Sequence, residues 1–277
     1  MKVIIGSGKV ANIIKNKDDD ILSHSVIDIV NADFVIKKLS KYPSGTIIIN
    51  TAAKINLEWC EENKEQTRLV NVVGALNVAK SCEKFGHHLV HISSGCIFNG
   101  METEKLYSED DEPTPACWYA QTKADADVLL LSTVYEKISI VRPRQLISPV
   151  PNPTNMLTKF ASMKSGKFID SKNSVTCIED MKDAIEHLIS KKLYGIYNVA
   201  NVGWLSPYDI ALKIKETISP DLIVEKTSYQ DYVNTLTVKR VNTLLNISKL
   251  TSTGYTPRSV FDALQWCLKN YGPNVVK

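Results

Sequence analysis

Short apolar, β-branched runs alternate with segments of helical length through the first half of the chain. Residues 2–5, 21–26, 46–50, 88–93 and 138–142 read as strands. Repeated β-α-β units joined by crossovers predict an α/β fold with a doubly wound, mostly parallel sheet covered by helices on both faces. Helix starts are marked later in the chain. Thr256 and Pro257 read as an N-cap and a proline at the first helical position, ahead of Phe261, Leu264, Trp266 and Leu268. Ser206, Pro207 and Asp209 open another helix, with Asp209 placed to complete a capping box. Prolines at 149, 151 and 153 mark a loop. The boundary is therefore expected there: residues 1–148 form a nucleotide-binding domain and 149–277 mainly a smaller C-terminal lobe. Residues 195–201 again read as a strand, so the chain is expected to re-enter the first sheet near 175–200. No internal repeat or low-complexity segment interrupts this plan.

Composition narrows the class without changing the plan. A chain of 277 residues with 44% hydrophobic and 23% charged residues has enough apolar material for one large or two unequal domains, and it is not disordered, collagen-like or disulfide-rich. The formal net charge is +3, with the basic residues dispersed, which argues against nucleic acid as a partner. No apolar stretch is long enough to span a bilayer, and the N-terminus has no signal-peptide pattern. A cytoplasmic protein with reduced thiols and no membrane partner is expected. The six cysteines form no CxxC pair and share no zinc-ligand spacing with the five histidines, so no metal is expected.

Three local motifs carry chemistry. Gly6-Ser7-Gly8-Lys9-Val10-Ala11 ends the first strand in a GxGxxA pattern, where glycines permit a tight turn and close approach of backbone to a pyrophosphate. A plain glycine-rich turn is the alternative. Ser23, His24 and Ser25 stand near the end of the second strand in place of an acidic residue, which leans toward NADP(H). Tyr119 and Lys123 fall on one helical face, one turn apart. A phenol with an ordinary pKa of ~10 needs a nearby cation to work near neutrality, and Lys123 is positioned to supply it. About one chance YxxxK match is expected in a chain with 11 tyrosines, so the pair needs context. Ser94, at the end of the strand expected over 88–93, supplies a hydroxyl at the carboxyl edge of the sheet and completes a reductase-type triad.

With these residues in place, nearly the whole chain resembles an extended short-chain dehydrogenase/reductase of the dTDP-4-dehydrorhamnose reductase group. More specifically, it resembles the plant-type nucleotide-rhamnose synthase/epimerase-reductases. The strings that carry the resemblance are Asn50-Thr51-Ala52-Ala53, Trp59-Cys60-Glu61, Thr67 to Gly74 with Asn71 inside it, Ser94-Gly95-Cys96-Ile97-Phe98 and Tyr119 to Lys123. Asn155 to Lys159, Gly195 to Asn198, Arg240-Val241-Asn242 and Lys249-Leu250 follow in the same order. Departures are a glycine loop one residue shorter than usual, with Ala11 at its third position, and Asn246 in place of a usual aspartate.

The resemblance implies a Rossmann-type sheet and a nucleotide-linked 4-keto-6-deoxyhexose as substrate. NADPH, with NADH as the alternative, would be the reductant. Tyr119 would protonate the C4 oxygen, Ser94 would hydrogen-bond it, and Lys123 would hold the nicotinamide ribose and lower the tyrosine pKa. Gly6, Ser7, Gly8, Lys9, Val10, Asp28, Ile29, Ala52 and Ala53 would complete the cofactor site with Tyr119 and Lys123, and Asn155 and Arg240 would join Ser94 on the substrate. Epimerisation beside the ketone requires one group to remove a proton and another to return it; by resemblance these are Cys96 and Lys159. Cys96 lies two residues after Ser94, so on an extended strand end both side chains point the same way. Its plain alternative is a small buried hydrophobe, while Cys60 reads as structural. The implied activity is a bifunctional 3,5-epimerase/4-reductase forming nucleotide-L-rhamnose from a UDP-linked sugar. A C4 reductase alone, a UDP-acetamido-sugar 3-epimerase/4-reductase and a non-enzymatic regulatory subunit remain as alternatives. Pairing through helices into a homodimer is common among Rossmann-type reductases.

Overall fold

The sheet that dominates the first half is built from β1 (Lys2–Ile5), β2 (Asp20–Leu22), β3 (Ile47–Asn50) and β4 (His88–Ile92), extended by strands Ile138–Pro143 and Gly195–Val199. Its order is Gly195–Val199, Ile138–Pro143, β4, β3, β1, β2. The pairings from β2 across to Ile138–Pro143 are all parallel. Parallel strands need crossovers, and the intervening helices bury both sheet faces, so Val3, Ile5, Ile48, Leu89 and Ile140 form one core with Val35, Leu39, Val78 and Leu130. The fold is thus α/β and Rossmann-like.

This computed structural model describes residues 1–100 and 104–272. Several strand ends differ from expectation, two of them because of local turns. β2 stops at Leu22 because the Ser23 carbonyl accepts the amides of Val26 and Ile27, which turns the chain. β4 ends at Ile92, and Ser94 begins a short 3₁₀ turn, Gly95–Ile97.

The chain divides into two units. The first comprises Met1–Phe98, Glu112–Arg142 and Ile185–Tyr197; the second comprises Asn99–Asp111, Pro143–Ala184 and the residues from Asn198 onward. The switch therefore falls at Pro143 rather than at 148, and Asn99–Asp111 leaves the first unit. The reason is pairing: Leu106–Tyr107 lies parallel to Leu244–Leu245, and Asn198 Nδ2 donates to both Tyr107 O and Asn246 O. The second unit has its own core, in which Ile210, Ile214, Leu222, Val260 and Leu264 pack together. The capping box at Ser206 and Asp209 is formed at the start of helix Pro207–Thr217. The last helix, Val260–Lys269, is capped by Ser259, whose Oγ accepts from Asp262 N, and not by Thr256, which lies in the approaching loop. Among the described residues no helix is long and apolar enough to cross a membrane.

Candidate active site

The carboxyl ends of β3 and β4 and the helix Trp118–Leu131 bring the first unit's reactive side chains together. That helix starts where it does because Glu61 Oε1 accepts the Trp118 backbone N–H at 2.6 Å and the Trp118 indole donates to Lys64 O at 2.9 Å. The Trp59-Cys60-Glu61 string thus fixes the residue next to Tyr119. Tyr119 and Lys123 fall one turn apart on this helix.

Ser94 Oγ accepts the Cys96 amide at 3.1 Å, so the hydroxyl and thiol belong to one 3₁₀ turn rather than to an extended strand. Ser94 also hydrogen-bonds the Tyr119 phenol. That phenol is raised above its ordinary pKa. Burial is the largest cause, the neighbouring Cys96 adds to it, and the Ser94 hydrogen bond opposes it. Tyr119 therefore holds its proton at neutral pH, the state required of a proton donor. Burial, and not the expected lowering by Lys123, sets the net direction of this shift. The lysine is turned elsewhere, with Nζ donating to Ile92 O at 2.7 Å and lying 3.4 Å from His91 Nε2. Burial lowers Lys123 to about 8, with Asp127 acting in the opposite sense. One turn on, Asp127 is paired with Arg142, whose Nε lies 2.8 Å from Oδ2.

Several supporting residues were not singled out from the sequence. Asn71 lies buried in a π-helical turn, Leu69–Gly74, between two α-helical segments. Its Oδ1 accepts from Lys54 N at 2.7 Å, and its Nδ2 donates to Lys54 O and Thr122 Oγ1, both at 3.0 Å. The π-turn aims one side chain at both the loop after β3 and the tyrosine helix. Asn50 and His91 form another buried pair, 3.3 Å apart across β3 and β4. Cys60 is fully buried, and burial is the main cause raising its thiol.

The glycine turn after β1 fits a dinucleotide phosphate. Gly6 has φ +109°, and a Cβ there would lie 2.5 Å from Thr51 Oγ1 and 3.2 Å from Ala52 N. A Cβ at Gly8 would meet nothing within 4 Å, so the first turn of helix Lys9–Ile14 faces open space with bare backbone. Ser7 O is held by Asn12 Nδ2 at 2.9 Å. Of the other residues expected at the cofactor, Asp28 Oδ1 accepts from Val30 N and the buried Ile29 side chain sits against Gly74. Ala52 N donates to Asn50 Oδ1, and Ala53 is half-buried.

The remaining expected residues belong to the second unit. Asn155 is fully buried and caps helix Met156–Ala161: Oδ1 accepts from Leu157 N, and Nδ2 donates to the Ser148 and Val150 carbonyls. Its amide is committed to its own loop, which gives it a structural task. Lys159 is exposed on that helix, and Arg240 is half-buried. The fold also gathers Cys177, Glu179 and Cys267, with ligand atoms within 4.8 Å of one another. The Cys177 and Cys267 sulfurs are 3.7 Å apart, and Cys177 Sγ lies 3.2 Å from Glu179 Oε2. Arg258 Nη2 stands 3.8 Å from Cys177 Sγ. Shared thiol hydrogens explain these distances, and a guanidinium so close opposes a cation.

A parallel Rossmann-like sheet with Ser94, Tyr119 and Lys123 at its carboxyl edge defines an extended short-chain dehydrogenase/reductase. The chain matches the RmlD substrate binding domain over residues 8–272 and belongs to that dTDP-4-dehydrorhamnose reductase family. It is 30% identical over 202 residues to the bifunctional dTDP-4-dehydrorhamnose 3,5-epimerase/dTDP-4-dehydrorhamnose reductase of Arabidopsis thaliana, covering 70% of this chain and 66% of that protein. It thus spans just under two thirds of that plant relative's length. Among solved structures, the dTDP-4-dehydrorhamnose reductase of Bacillus anthracis in complex with NADP shares its fold at TM-score 0.86 and 24% identity, covering 96% of this chain and 97% of that one. The L780 UDP-rhamnose synthase of Acanthamoeba polyphaga mimivirus does so at TM-score 0.85 and 21% identity, covering 98% and 99%.

Proposed function

We propose that this chain is an NADPH-dependent nucleotide-sugar 4-ketoreductase of nucleotide-rhamnose synthesis, and that it also epimerises its substrate beside the ketone. The observation that carries the reading is the hydrogen bond between Ser94 and the half-buried Tyr119, with Cys96 in the same turn.

When bound, NADPH supplies the hydride that reduces C4. The Gly6–Val10 turn would hold its diphosphate, and Lys123 would hold the nicotinamide ribose. Ser94 donates to the C4 oxygen and orients it. Tyr119 transfers its phenolic proton to that oxygen as the carbon is reduced, and water restores the proton afterwards. Epimerisation uses the same pair differently: with Ser94 and Tyr119 polarising the C4 carbonyl, the adjacent carbon acid can give up its proton to the Cys96 sulfur. Lys159 is the second epimerisation residue that the family resemblance supplies.

The test is incubation with UDP-4-keto-6-deoxyglucose and NADPH in deuterated buffer, following cofactor oxidation and identifying the product by NMR. UDP-L-rhamnose carrying deuterium at C3 and C5 supports both activities. A D-configured 6-deoxy sugar without exchange leaves the reductase alone, and no oxidation with UDP- or dTDP-linked ketone overturns the reading. Cys96→Ser should retain reduction of a pre-epimerised 4-keto sugar while losing exchange; equal loss of both would remove Cys96 from a dedicated epimerase role.

A further inference from the structure

The second unit holds a pair of thiols that the chemistry above does not use. Cys177 ends the strand Thr176–Cys177 and Cys267 lies in the last helix, and both are fully buried in that unit's core. Their sulfurs are 3.7 Å apart, although 90 positions separate them in the chain. Bonded disulfide sulfurs lie ~2.05 Å apart, so closing the gap takes a movement of under ~2 Å, within reach of side-chain rotation.

Hydrogen bonding gives the two sulfurs different tasks. Cys177 Sγ donates to Glu179 Oε2 at 3.2 Å, so a carboxylate stands ready for its proton. With that hydrogen committed to Glu179, the one shared between the sulfurs comes from Cys267. The Arg258 guanidinium reaches the Cys177 sulfur as well, Nη2 to Sγ 3.8 Å, and favours negative charge there. Asp180 fixes its orientation, with Oδ1 accepting from Nε at 2.9 Å and from Nη2 at 2.6 Å. Cys267 holds its proton more tightly: its hydrogen bond to Cys177, and then burial, push that thiol up. A sulfur with a base and a cation beside it is an attacking thiol, and a protonated neighbour in contact with it is a resolving one. Cys82 shows the ordinary case, buried in the first unit's core with its thiol raised by burial alone.

The Cys177 sulfur lies one side chain from solvent. Glu179, Asp180 and Arg258 line an open pocket together with Tyr255 and Trp266. The Arg258 side chain is 36% exposed and Glu179 is half-buried, so an oxidant of about water's size meets the sulfur once Arg258 leans aside. We propose that Cys177 and Cys267 form a redox-active dithiol site whose substrate is a small peroxide. Cys177 passes its proton to Glu179 and its sulfur attacks a peroxide oxygen: an S–O bond forms, the O–O bond breaks, and the departing oxygen takes that proton and leaves as water. Cys267 then attacks the Cys177 sulfenic sulfur, and the hydroxyl leaves with the Cys267 proton as a second water. Two thiols lose two electrons, one peroxide gains them, and a disulfide staples the strand before helix Ile178–Ser190 to the last helix. None of these groups takes part in the proposed reductase chemistry, so neither reading depends on the other.

The experiment needs no variant. Full-length protein is exposed to hydrogen peroxide, unfolded in N-ethylmaleimide to block the remaining thiols, digested and read by mass spectrometry. The Cys177 and Cys267 peptides should appear joined, two hydrogens lighter than their sum, ahead of any change at Cys82, and dithiothreitol should part them. A pair that stays reduced, or that oxidises no faster than Cys82, overturns the proposal. The roles are read from two variants. Cys267→Ser should stop at the Cys177 sulfenic acid, trapped by dimedone on unfolding, whereas Cys177→Ser should leave Cys267 as the thiol. Dimedone on Cys267 in the second variant as readily as on Cys177 in the first overturns the assignment of attacking and resolving sulfur.

Discussion

Arg142→Met is the sharpest test of how the first unit holds charge beneath its active site. Arg142 and Asp127 are 3% and 1% exposed, with Nε and Oδ2 2.8 Å apart. The Asp127 carboxyl already sits above its ordinary pKa, burial being the largest cause and the Arg142 charge the first one opposing it. Methionine keeps most of the aliphatic stem and gives up the guanidinium, which stands 5.7 Å from the Phe98 ring centroid, so the change is mainly electrostatic. Leaving one member of a buried pair unpartnered costs about 3–5 kcal/mol. At a urea slope of ~2–3 kcal/mol/M, the midpoint should fall by roughly 1–2.5 M. The sign of the pH dependence follows from the direction of the shift. With its folded pKa raised further above the unfolded value, Asp127 contributes most favourably when protonated. The variant's deficit relative to the wild type should therefore be smallest near pH 4 and grow as pH rises toward the higher folded pKa, at up to ~1.4 kcal/mol per unit, and then level off. Adding Asp127→Leu should recover most of the loss, because a well-packed apolar pair often replaces a buried ion pair without penalty. Urea unfolding of the single and double variants at pH 4.5, 6 and 7.5 is the assay. A deficit below ~1 kcal/mol, or one that does not change with pH, would refute the argument.

The other expectations concern the site itself. Tyr119→Phe should lower ketone reduction by about 10²–10⁴-fold with little change in unfolding midpoint; full turnover in that variant would exclude the phenol as the proton donor. Gly6→Val should cost ~1–3 kcal/mol of stability, from its φ of +109° and the 2.5 Å approach to Thr51, and should also weaken NADPH binding by fluorescence titration. Asn71→Leu removes three hydrogen bonds that tie Lys54 to Thr122, and it should lower kcat more than it raises the KM for the keto sugar. A stability loss with unchanged kcat would reduce Asn71 to a strut.

What could be read before folding was local, and what could not was a matter of register. Tyr119 and Lys123 are one helical turn apart, so their pairing needed only the helix to exist. The glycine turn needed only β1. Ser94 and Cys96 were placed in the right neighbourhood but on the wrong backbone, because the Ser94 side chain captures the Cys96 amide and bends an extended end into a 3₁₀ turn. Asn71 was in view inside a family-matching string, yet its reach to Lys54 and Thr122 depends on a π-turn that no spacing rule announces. Cys177 and Cys267 carry no ligand spacing and still meet at 3.7 Å. His91 is the plainest case. In the chain it is one apolar-run histidine before Ser93; in the sheet, alignment with Asn50 and the arrival of Lys123 from 32 residues away make it a buried neighbour of both. The direction of the Asn50–His91 hydrogen bond follows from the Ala52 amide, two residues beyond Asn50. The loop after β3 thus fixes Asn50 through the Ala52 amide and is itself braced at Lys54 by Asn71.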